Sequence, residues 1–141
     1  MSNKVANVLV VEDDIEMSTM MDRIIKSLDQ RIVIDWSTSA EEAIQLIYAE
    51  KKANKKTPYD LIVADIYLDG FKTGLDLMEV CAQIFPEIPF VLTSVNDISG
   101  YMKSLDCVNY EYFLKKPFNP VECKKIFRSI LLRGHHGNLE H

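Results

Sequence analysis

The feature that most constrains this chain is a regular alternation between two apolar patterns along its whole length. Short β-branched runs, typical of strands buried on both faces of a parallel sheet, alternate with stretches whose apolar residues recur every three or four positions, as on one face of a helix. Such an alternation predicts an α/β fold, with a parallel sheet covered by helices on both faces. The predicted strands are 5–11, 32–36, 61–64, 90–93 and 111–114, and the predicted helices follow Asp14, Ser39, Gly74, Asp97 and Asn119.

The first residues of three helices carry recognisable capping patterns. Asp14 is a candidate N-cap, and Ser39 with Glu42 has the spacing of a capping box. Asn119 and Pro120 combine an N-cap residue with a proline at the first helical position. These patterns support the predicted starts of the first, second and fifth helices.

Composition excludes several classes of protein. The formal net charge of -5 argues against direct nucleic-acid binding by this domain, since such binding relies on neutralising phosphates. The three cysteines form no Cys-x-x-Cys pair, which favours a reducing, cytoplasmic setting over a disulfide framework or a zinc site. No apolar run approaches the roughly 20 residues that span a bilayer, and the N-terminus lacks a signal-peptide pattern, so no membrane association is expected.

One domain is expected over residues 1–133, followed by a flexible tail at 134–141. The last three residues, 139–141, have the sequence Leu-Glu-His and resemble the start of a vector-encoded polyhistidine tag. If they are one, the natural protein can be longer.

Chemically active side chains follow four of the five predicted strands. Glu12 and Asp13 follow the first strand, Asp65 the third, Ser94 the fourth and Lys116 the fifth. Ligands of open parallel sheets bind outside the carboxyl ends of the strands, so these side chains are expected to converge at one sheet edge. A Glu-Asp pair alone is more often a helix cap, and a lysine before proline is usually solvated; the complete set is what indicates a site.

Three carboxylates packed together would repel one another and raise one another's pKa. A divalent cation would relieve that repulsion, and Mg²⁺ suits carboxylate oxygens while keeping waters that phosphate oxygens can replace. An ionised aspartate needs no general base to act as a nucleophile, and it can form an aspartyl phosphate. A lysine and a serine could neutralise and bind the phosphoryl oxygens.

The sequence from about Asn7 to Leu132 resembles the receiver domains of response regulators. The resemblance rests on Val10-Val11-Glu12-Asp13-Asp14, on Asp65-Ile66-Tyr67-Leu68 with Gly74, on the segment 89–94, and on Lys116-Pro117-Phe118. It implies a flavodoxin-like, doubly wound (βα)5 fold with strand order 2-1-3-4-5.

The resemblance also implies a function in two-component phosphorelay signalling. Asp65 would be the phosphoacceptor, supplied by a sensor histidine kinase or a histidine phosphotransfer protein. Such a protein is not an enzyme beyond its own phosphorylation and dephosphorylation. Its readout would be a change in the face formed by the fourth helix, fifth strand and fifth helix, through which a homodimer could also form.

Individual roles follow from the same resemblance. Mg²⁺, for which Mn²⁺ could substitute, would be bound by Glu12, Asp13, Asp65 and the backbone carbonyl of Tyr67. Lys116 and Ser94 would bind the phosphoryl group, and Phe113 would be the aromatic switch residue. The side chains expected to tune dephosphorylation are Tyr67, Val95 and Asn96, which flank the approach of water.

Three departures from the family pattern stand out. Asp69-Gly70 replaces the usual proline after Asp65, and the loop looks one residue longer. Thr93 is a rival to Ser94 as the switch hydroxyl, although counting from both neighbouring motifs favours Ser94. Val95 occupies a position where the family often has alanine.

Other functional classes fit less well. A toprim-like nucleic-acid enzyme and a haloacid-dehalogenase-type phosphatase both need a second aspartate two residues after the first, where this chain has Tyr67. A dinucleotide-binding domain would need a glycine-rich turn after the first strand. The remaining alternative is a degenerate receiver that acts only as a protein-binding module, although no working residue is missing here.

Overall fold

A computed structural model describes residues 5–53, 57–96 and 112–139. The described residues form five strands and four helices that alternate along most of the chain. The strands are β1 (Asn7–Val11), β2 (Val33–Ser37), β3 (Leu61–Asp65), β4 (Phe90–Ser94) and β5 (Tyr112–Lys115). The helices are α1 (Ile15–Lys26), α2 (Ala40–Lys52), α3 (Gly74–Ile84) and α4 (Pro120–Leu139), of which α4 corresponds to the fifth predicted helix.

The strands form one parallel sheet in the order β2-β1-β3-β4-β5, which confirms the predicted topology. Strand β1 lies next to the central strand β3, and β2 flanks β1 at one edge of the sheet. Strands β4 and β5 lie on the other side of β3. The order therefore reverses between β1 and β3, which is where open parallel sheets bind ligands. Because Val11 pairs with Ala64, and Asp65 pairs with Thr93, the residues that follow these strands meet at one edge.

Alternate residues of the central strands fill two hydrophobic layers. Ile62 and Phe90 belong to the layer that contains Leu77 of α3, whereas Val63 belongs to the layer that contains Phe127 of α4. All residues of β3 and β4 are buried, as expected for strands covered on both faces. The buried sheet is therefore a rigid base that fixes the positions of its strand ends.

The predicted helix starts are confirmed at α1 and α4. Asp14 accepts hydrogen bonds from the N–H groups of the first turn of α1, and Asn119 does the same for α4. The capping box predicted at α2 is only half correct. Ser39 accepts from the Glu42 N–H at 3.1 Å, but the Glu42 carboxylate accepts from Ser37 Oγ and the Thr38 N–H instead of returning to Ser39.

The predicted strand bounds differ from the structure by up to two residues: β1 begins at Asn7 and not at residue 5, whereas β3 and β4 each extend by one residue to include Asp65 and Ser94. The predicted fourth helix, around residues 98–105, lies outside the described residues. Helix α4 continues past residue 133 to Leu139, and flexibility of the segment 134–141 stays a prediction. Among the described residues, no helix combines the length and apolar character that a membrane crossing requires.

Candidate functional site

Three carboxylates meet at the carboxyl edge of the sheet. Glu12 and Asp13 follow β1, and Asp65 is the last residue of β3; one oxygen from each lies within 4.8 Å of the others. Glu12 is fixed because its N–H donates to the Ser37 carbonyl at 2.9 Å, extending the β1–β2 ladder by one step. Glu12 and Asp65 are each only 7% exposed, so the cluster sits largely out of water.

Lys116 joins two of these carboxylates. Its Nζ donates to Glu12 Oε1 at 2.7 Å and to Asp65 Oδ2 at 3.1 Å, and its side chain is 8% exposed. The residue follows β5 and is held there because its backbone N–H donates to the Ser94 carbonyl at 2.8 Å. The peptide bond between Lys116 and Pro117 is cis.

Burial determines the protonation preferences of this cluster. Loss of hydration raises the pKa of Glu12 and of Asp65, and the hydrogen bonds from Lys116 only partly counteract that rise. Burial by itself lowers the pKa of Lys116, but its hydrogen bonds to Glu12 and Asp65 raise it overall. Lys116 is therefore charged at neutral pH, and its single positive charge is shared between two buried carboxylates.

The loop after β3 contacts two of the carboxylates through its backbone. The Tyr67 N–H donates to Asp65 Oδ1 at 3.3 Å, and the Asp69 N–H donates to Asp13 Oδ2 at 3.1 Å. The two oxygens of Asp65 thus have different partners, Lys116 on one side and the loop on the other. The conformation of this loop therefore influences how both carboxylates are oriented.

The two candidate switch hydroxyls lie at the end of β4. Thr93 pairs with Asp65 in the sheet register, while Ser94 is the last residue of the strand and accepts the N–H of Lys116 through its carbonyl. Both side chains are buried, and Ser94 Oγ accepts the Asn96 N–H at 3.1 Å. Ser94 is thus bonded to Lys116 through its backbone and to Asn96 through its hydroxyl, and its role as the switch hydroxyl in preference to Thr93 stays a prediction.

The remaining predicted residues differ in their exposure to solvent. Phe113 on β5 is half-buried and packs against the hydrophobic layer of α2 and α3. Tyr67 is 53% exposed and Val95 is 61% exposed, and Asn96 is exposed as well. The structure therefore leaves the three proposed tuning side chains accessible to solvent.

Two sets of contacts that hold the loop in place were not predicted from the sequence. Thr73 and Asp76 form a complete capping box at α3, and the Thr-x-x-Asp pattern ahead of an apolar stretch could have revealed it. Glu41 of α2 accepts the N–H groups of Phe71 and Lys72, 30 and 31 residues along the chain. No local pattern indicates that contact.

The arrangement suits a hard divalent cation together with a phosphoryl group. Three carboxylate oxygens within 4.8 Å are the type of ligand that Mg²⁺ prefers, so Glu12, Asp13 and Asp65 fit such an ion. The buried ammonium of Lys116 beside Asp65 fits the negative oxygens of a phosphoryl group.

Comparison with known proteins agrees with this site. The family described as "Response regulator receiver domain" matches residues 8–128. The chain is 30% identical over 132 residues to the transcriptional regulatory protein YvrH of Bacillus subtilis (strain 168), covering 91% of this chain and 50% of that protein. It is 28% identical over 132 residues to the putative two-component response regulator ARR21 of Arabidopsis thaliana, covering 93% of this chain and 20% of that protein. The chain thus spans half or less of the length of these two relatives.

Solved structures share the fold. The signal receiver domain of an HD-domain-containing protein from Pseudomonas fluorescens Pf-5 aligns with a TM-score of 0.78 and 17% identity over 100% of this chain and 97% of that chain. The signal receiver domain of a putative Luxo repressor protein from Vibrio parahaemolyticus aligns with a TM-score of 0.76 and 23% identity over 98% of this chain and 98% of that chain. With a family match over nearly the whole domain and this fold, the chain belongs to the receiver domains of response regulators.

Proposed function

We propose that this receiver domain accepts a phosphoryl group on Asp65. The observation that carries the proposal is the position of Lys116, whose buried ammonium bridges Asp65 and Glu12 inside a cluster of three carboxylates. A structural ion pair would need one carboxylate. A site that holds an excess of buried negative charge beside a lysine is instead suited to a cation and a phosphate.

In the transfer step, a carboxylate oxygen of Asp65 attacks the phosphorus of a phosphohistidine on a kinase or phosphotransfer protein. A bond forms between phosphorus and that oxygen, and the phosphorus–nitrogen bond breaks with its electron pair returning to the imidazole. Lys116 stays close enough to bind a phosphoryl oxygen, and the hydroxyl proton of Ser94, which its bond from the Asn96 N–H does not use, would be donated to another.

Glu12, Asp13, Asp65 and the backbone carbonyl of Tyr67 are the groups that would hold Mg²⁺ or Mn²⁺. The ion would supply positive charge to the phosphoryl oxygens and would offset the repulsion among the carboxylates. The bond from the Asp69 N–H to Asp13 Oδ2 already orients one of these groups. The other Asp13 oxygen can then face the ion.

The phosphoacceptor assignment is tested by incubating the protein with acetyl phosphate and Mg²⁺ and measuring intact mass. We expect one phosphoryl adduct, absent without Mg²⁺ and absent in Asp65→Asn. Asp69→Asn is the control, because it neutralises an exposed aspartate of the same loop and should retain the adduct. An undiminished adduct in Asp65→Asn would refute the assignment.

We further propose that phosphorylation moves Ser94 toward the phosphate and that Phe113 turns inward. Phe113 is half-buried against the hydrophobic layer, so an inward rotamer would bury more of its ring. The readout would be the face formed by the predicted fourth helix, β5 and α4. The switch can be biased only by the difference in affinity of the phosphoryl group for the two states.

Beryllofluoride with Mg²⁺ mimics the acyl phosphate and tests the switch by amide chemical shifts. We expect shifts at Phe113 and along β5 as well as around Asp65. Shifts confined to the loops that hold the metal would contradict the switch. The same samples, examined by sedimentation, test whether a homodimer forms through this face.

The proposed partners are a sensor histidine kinase or a histidine phosphotransfer protein in the cytoplasm. Direct binding to nucleic acid by this domain is not part of the proposal, since the formal net charge is -5.

A further inference from the structure

The loop between β3 and α3, residues 66–73, is held almost entirely by carboxylates. We call this segment the phosphoacceptor loop because it begins directly after Asp65. The Tyr67 N–H donates to Asp65, and the Asp69 N–H donates to Asp13. The Phe71 and Lys72 N–H groups both donate to Glu41, and the Thr73 N–H donates to Asp76. Of these carboxylates, only Glu41 reaches the loop from α2.

Glu41 lies in the first turn of α2 and contacts the far end of the loop. Its Oε2 accepts the Phe71 N–H at 2.7 Å and the Lys72 N–H at 3.1 Å. The nearby backbone N–H groups of Glu41 itself, Phe71 and Lys72 lower the pKa of the Glu41 carboxyl, so it is ionised at neutral pH. Its Oε1 is buried and has no hydrogen-bond partner among the described residues.

Gly70 has a backbone conformation and an absence of side chain that suit the contact with the Glu41 carboxylate. Its φ of 112° lies in the left-handed region that favours glycine. A Cβ placed there would lie 2.8 Å from both Glu41 carboxylate oxygens. The backbone conformation at Gly70 brings the next two N–H groups onto Glu41, and the missing side chain gives the carboxylate room.

The loop needs such an anchor for a reason visible in the sequence. Asp69 and Gly70 lie in the middle of the loop, and neither restricts its own backbone as a proline would. A contact from a neighbouring helix can supply the missing restraint.

We propose that Glu41 is a positioning residue for phosphorylation at Asp65: it clamps Phe71 and Lys72 and thereby fixes the backbone that orients Asp65 and Asp13. The inference rests on the proposed phosphoacceptor function. Its physical route is short, because Asp69, whose N–H binds Asp13, is separated from Phe71 by Gly70 alone. Loosening the clamp frees the segment that carries the Tyr67 carbonyl and both contacts to the carboxylates.

The test compares Glu41→Ala with Glu42→Ala. Both remove a glutamate from the first turn of α2, but the Glu42 carboxylate contacts Ser37 and Thr38 and not the loop. At saturating Mg²⁺, we expect Glu41→Ala to be phosphorylated by acetyl phosphate about tenfold more slowly than wild type, because misplaced reacting groups react slowly. Glu42→Ala should stay close to wild type. Glu41→Gln, whose amide oxygen can still accept both N–H groups, should recover part of the rate.

A second measurement does not depend on phosphorylation. Amide hydrogen exchange at Phe71 and Lys72 should accelerate in Glu41→Ala and stay unchanged in Glu42→Ala. If both variants lose overall stability equally and only Glu41→Ala shows the faster local exchange, the effect belongs to the loop and not to the helix.

A double-mutant cycle tests the pairing with Gly70. Gly70→Ala should slow phosphorylation in both backgrounds because a φ of 112° disfavours alanine, and the loss should be larger in the wild-type background, where its Cβ also meets the Glu41 carboxylate. Additive effects would overturn the clamp.

The two proposals fail in different ways. If wild type forms the adduct and Glu41→Ala forms it at the same rate with unchanged exchange, the clamp is wrong and the phosphoacceptor function stands. If wild type forms no adduct but Phe71 and Lys72 lose protection in Glu41→Ala, the clamp exists as a structural contact and its role in phosphorylation is refuted.

Discussion

The Lys116 ammonium is shared between Glu12 and Asp65, which sets the electrostatics of the site. Three carboxylates face one buried ammonium, so negative charge is in excess. Lys116 contacts two of the three candidate metal ligands, Glu12 and Asp65, whereas Asp13 accepts a hydrogen bond from the loop. Asp13 is therefore the carboxylate that would meet a cation without competing with the lysine.

Tyr67 has one role in its backbone and another in its side chain. Its N–H donates to Asp65 Oδ1, whereas its side chain is half-exposed. We expect the ring to shield an aspartyl phosphate from attacking water, so Tyr67→Asn should lose phosphate about tenfold faster, equivalent to about 1.4 kcal/mol of barrier. The measurement is phosphate release from purified phosphoprotein in excess Mg²⁺.

Phe71→Asn is the matched control for this shielding. It removes an aromatic ring from the same loop, but that ring is 98% exposed, while the backbone N–H that binds Glu41 is retained. The Phe71→Asn phosphoprotein should release phosphate at the same rate as wild type. Equal rates in wild type and Tyr67→Asn, or a slower rate in the mutant, would remove shielding as the explanation and would direct attention to Val95 and Asn96.

At the scale of elements, helix α3 begins in contact with the end of β3. The Gly74 N–H donates to the Ile66 carbonyl at 3.0 Å, and a Cβ at Gly74 would lie 2.3 Å from the backbone oxygen of Asp65. Backbone cannot yield as a side chain can, so α3 would have to move away from β3. We expect Gly74→Ala to lower the free energy of unfolding by about 3 kcal/mol, as measured by urea denaturation.

Thr73→Ala provides the comparison for that prediction. It removes the N-cap side chain that accepts the N–H groups of Leu75 and Asp76, a loss of about 1 kcal/mol. Both variants alter the start of α3, but only Gly74→Ala forces the helix off the strand. A cost for Gly74→Ala no larger than that for Thr73→Ala would show that the contact between α3 and β3 can relax.

The elements themselves were predictable because their patterns are local. Apolar periodicity identified β3 and β4, and capping residues identified the starts of α1 and α4. The Glu42 side chain was assigned wrongly because two sets of donors compete for its carboxylate: Ser37 Oγ with the Thr38 N–H on one side, and the Ser39 backbone N–H on the other. Sequence spacing cannot rank those contacts, which depend on where β2 ends.

At the scale of the whole molecule, periodicity predicted a parallel sheet but not which strands pair. The order β2-β1-β3-β4-β5 followed from resemblance to a family, because strand pairing depends on how helices cover the sheet and not on any one segment. The predicted members of the acidic cluster converge for a general reason, since parallel strands align their carboxyl ends. Glu41 was missed because its contact needs α2 and the phosphoacceptor loop to be packed side by side.

The acidic cluster should oppose folding when no metal is bound. Burial raises the pKa of Asp65, so the stability that its neutral form contributes at low pH is lost as the pH rises through the raised value. At pH 7 the ionised side chain therefore destabilises the fold. In EDTA at pH 7, Asp65→Asn should be more stable than wild type, because asparagine resembles the neutral acid and leaves Lys116 to pair with Glu12.

Mg²⁺ should make wild type more stable than Asp65→Asn. A ligand that binds only the folded state at ten times its dissociation constant stabilises it by about 1.4 kcal/mol, and Asp65→Asn should gain less because one ligand carboxylate is gone. Urea unfolding with and without Mg²⁺ measures both effects, and Glu79→Gln, which neutralises an exposed carboxylate on α3, controls for the change in net charge.

At a pH below the ordinary aspartate pKa, the difference in stability between wild type and Asp65→Asn without metal should vanish, since Asp65 is then neutral in both the folded and unfolded states. A metal-free Asp65→Asn that is less stable than wild type at pH 7 would mean that the bond from Lys116 outweighs the cost of burying the charge.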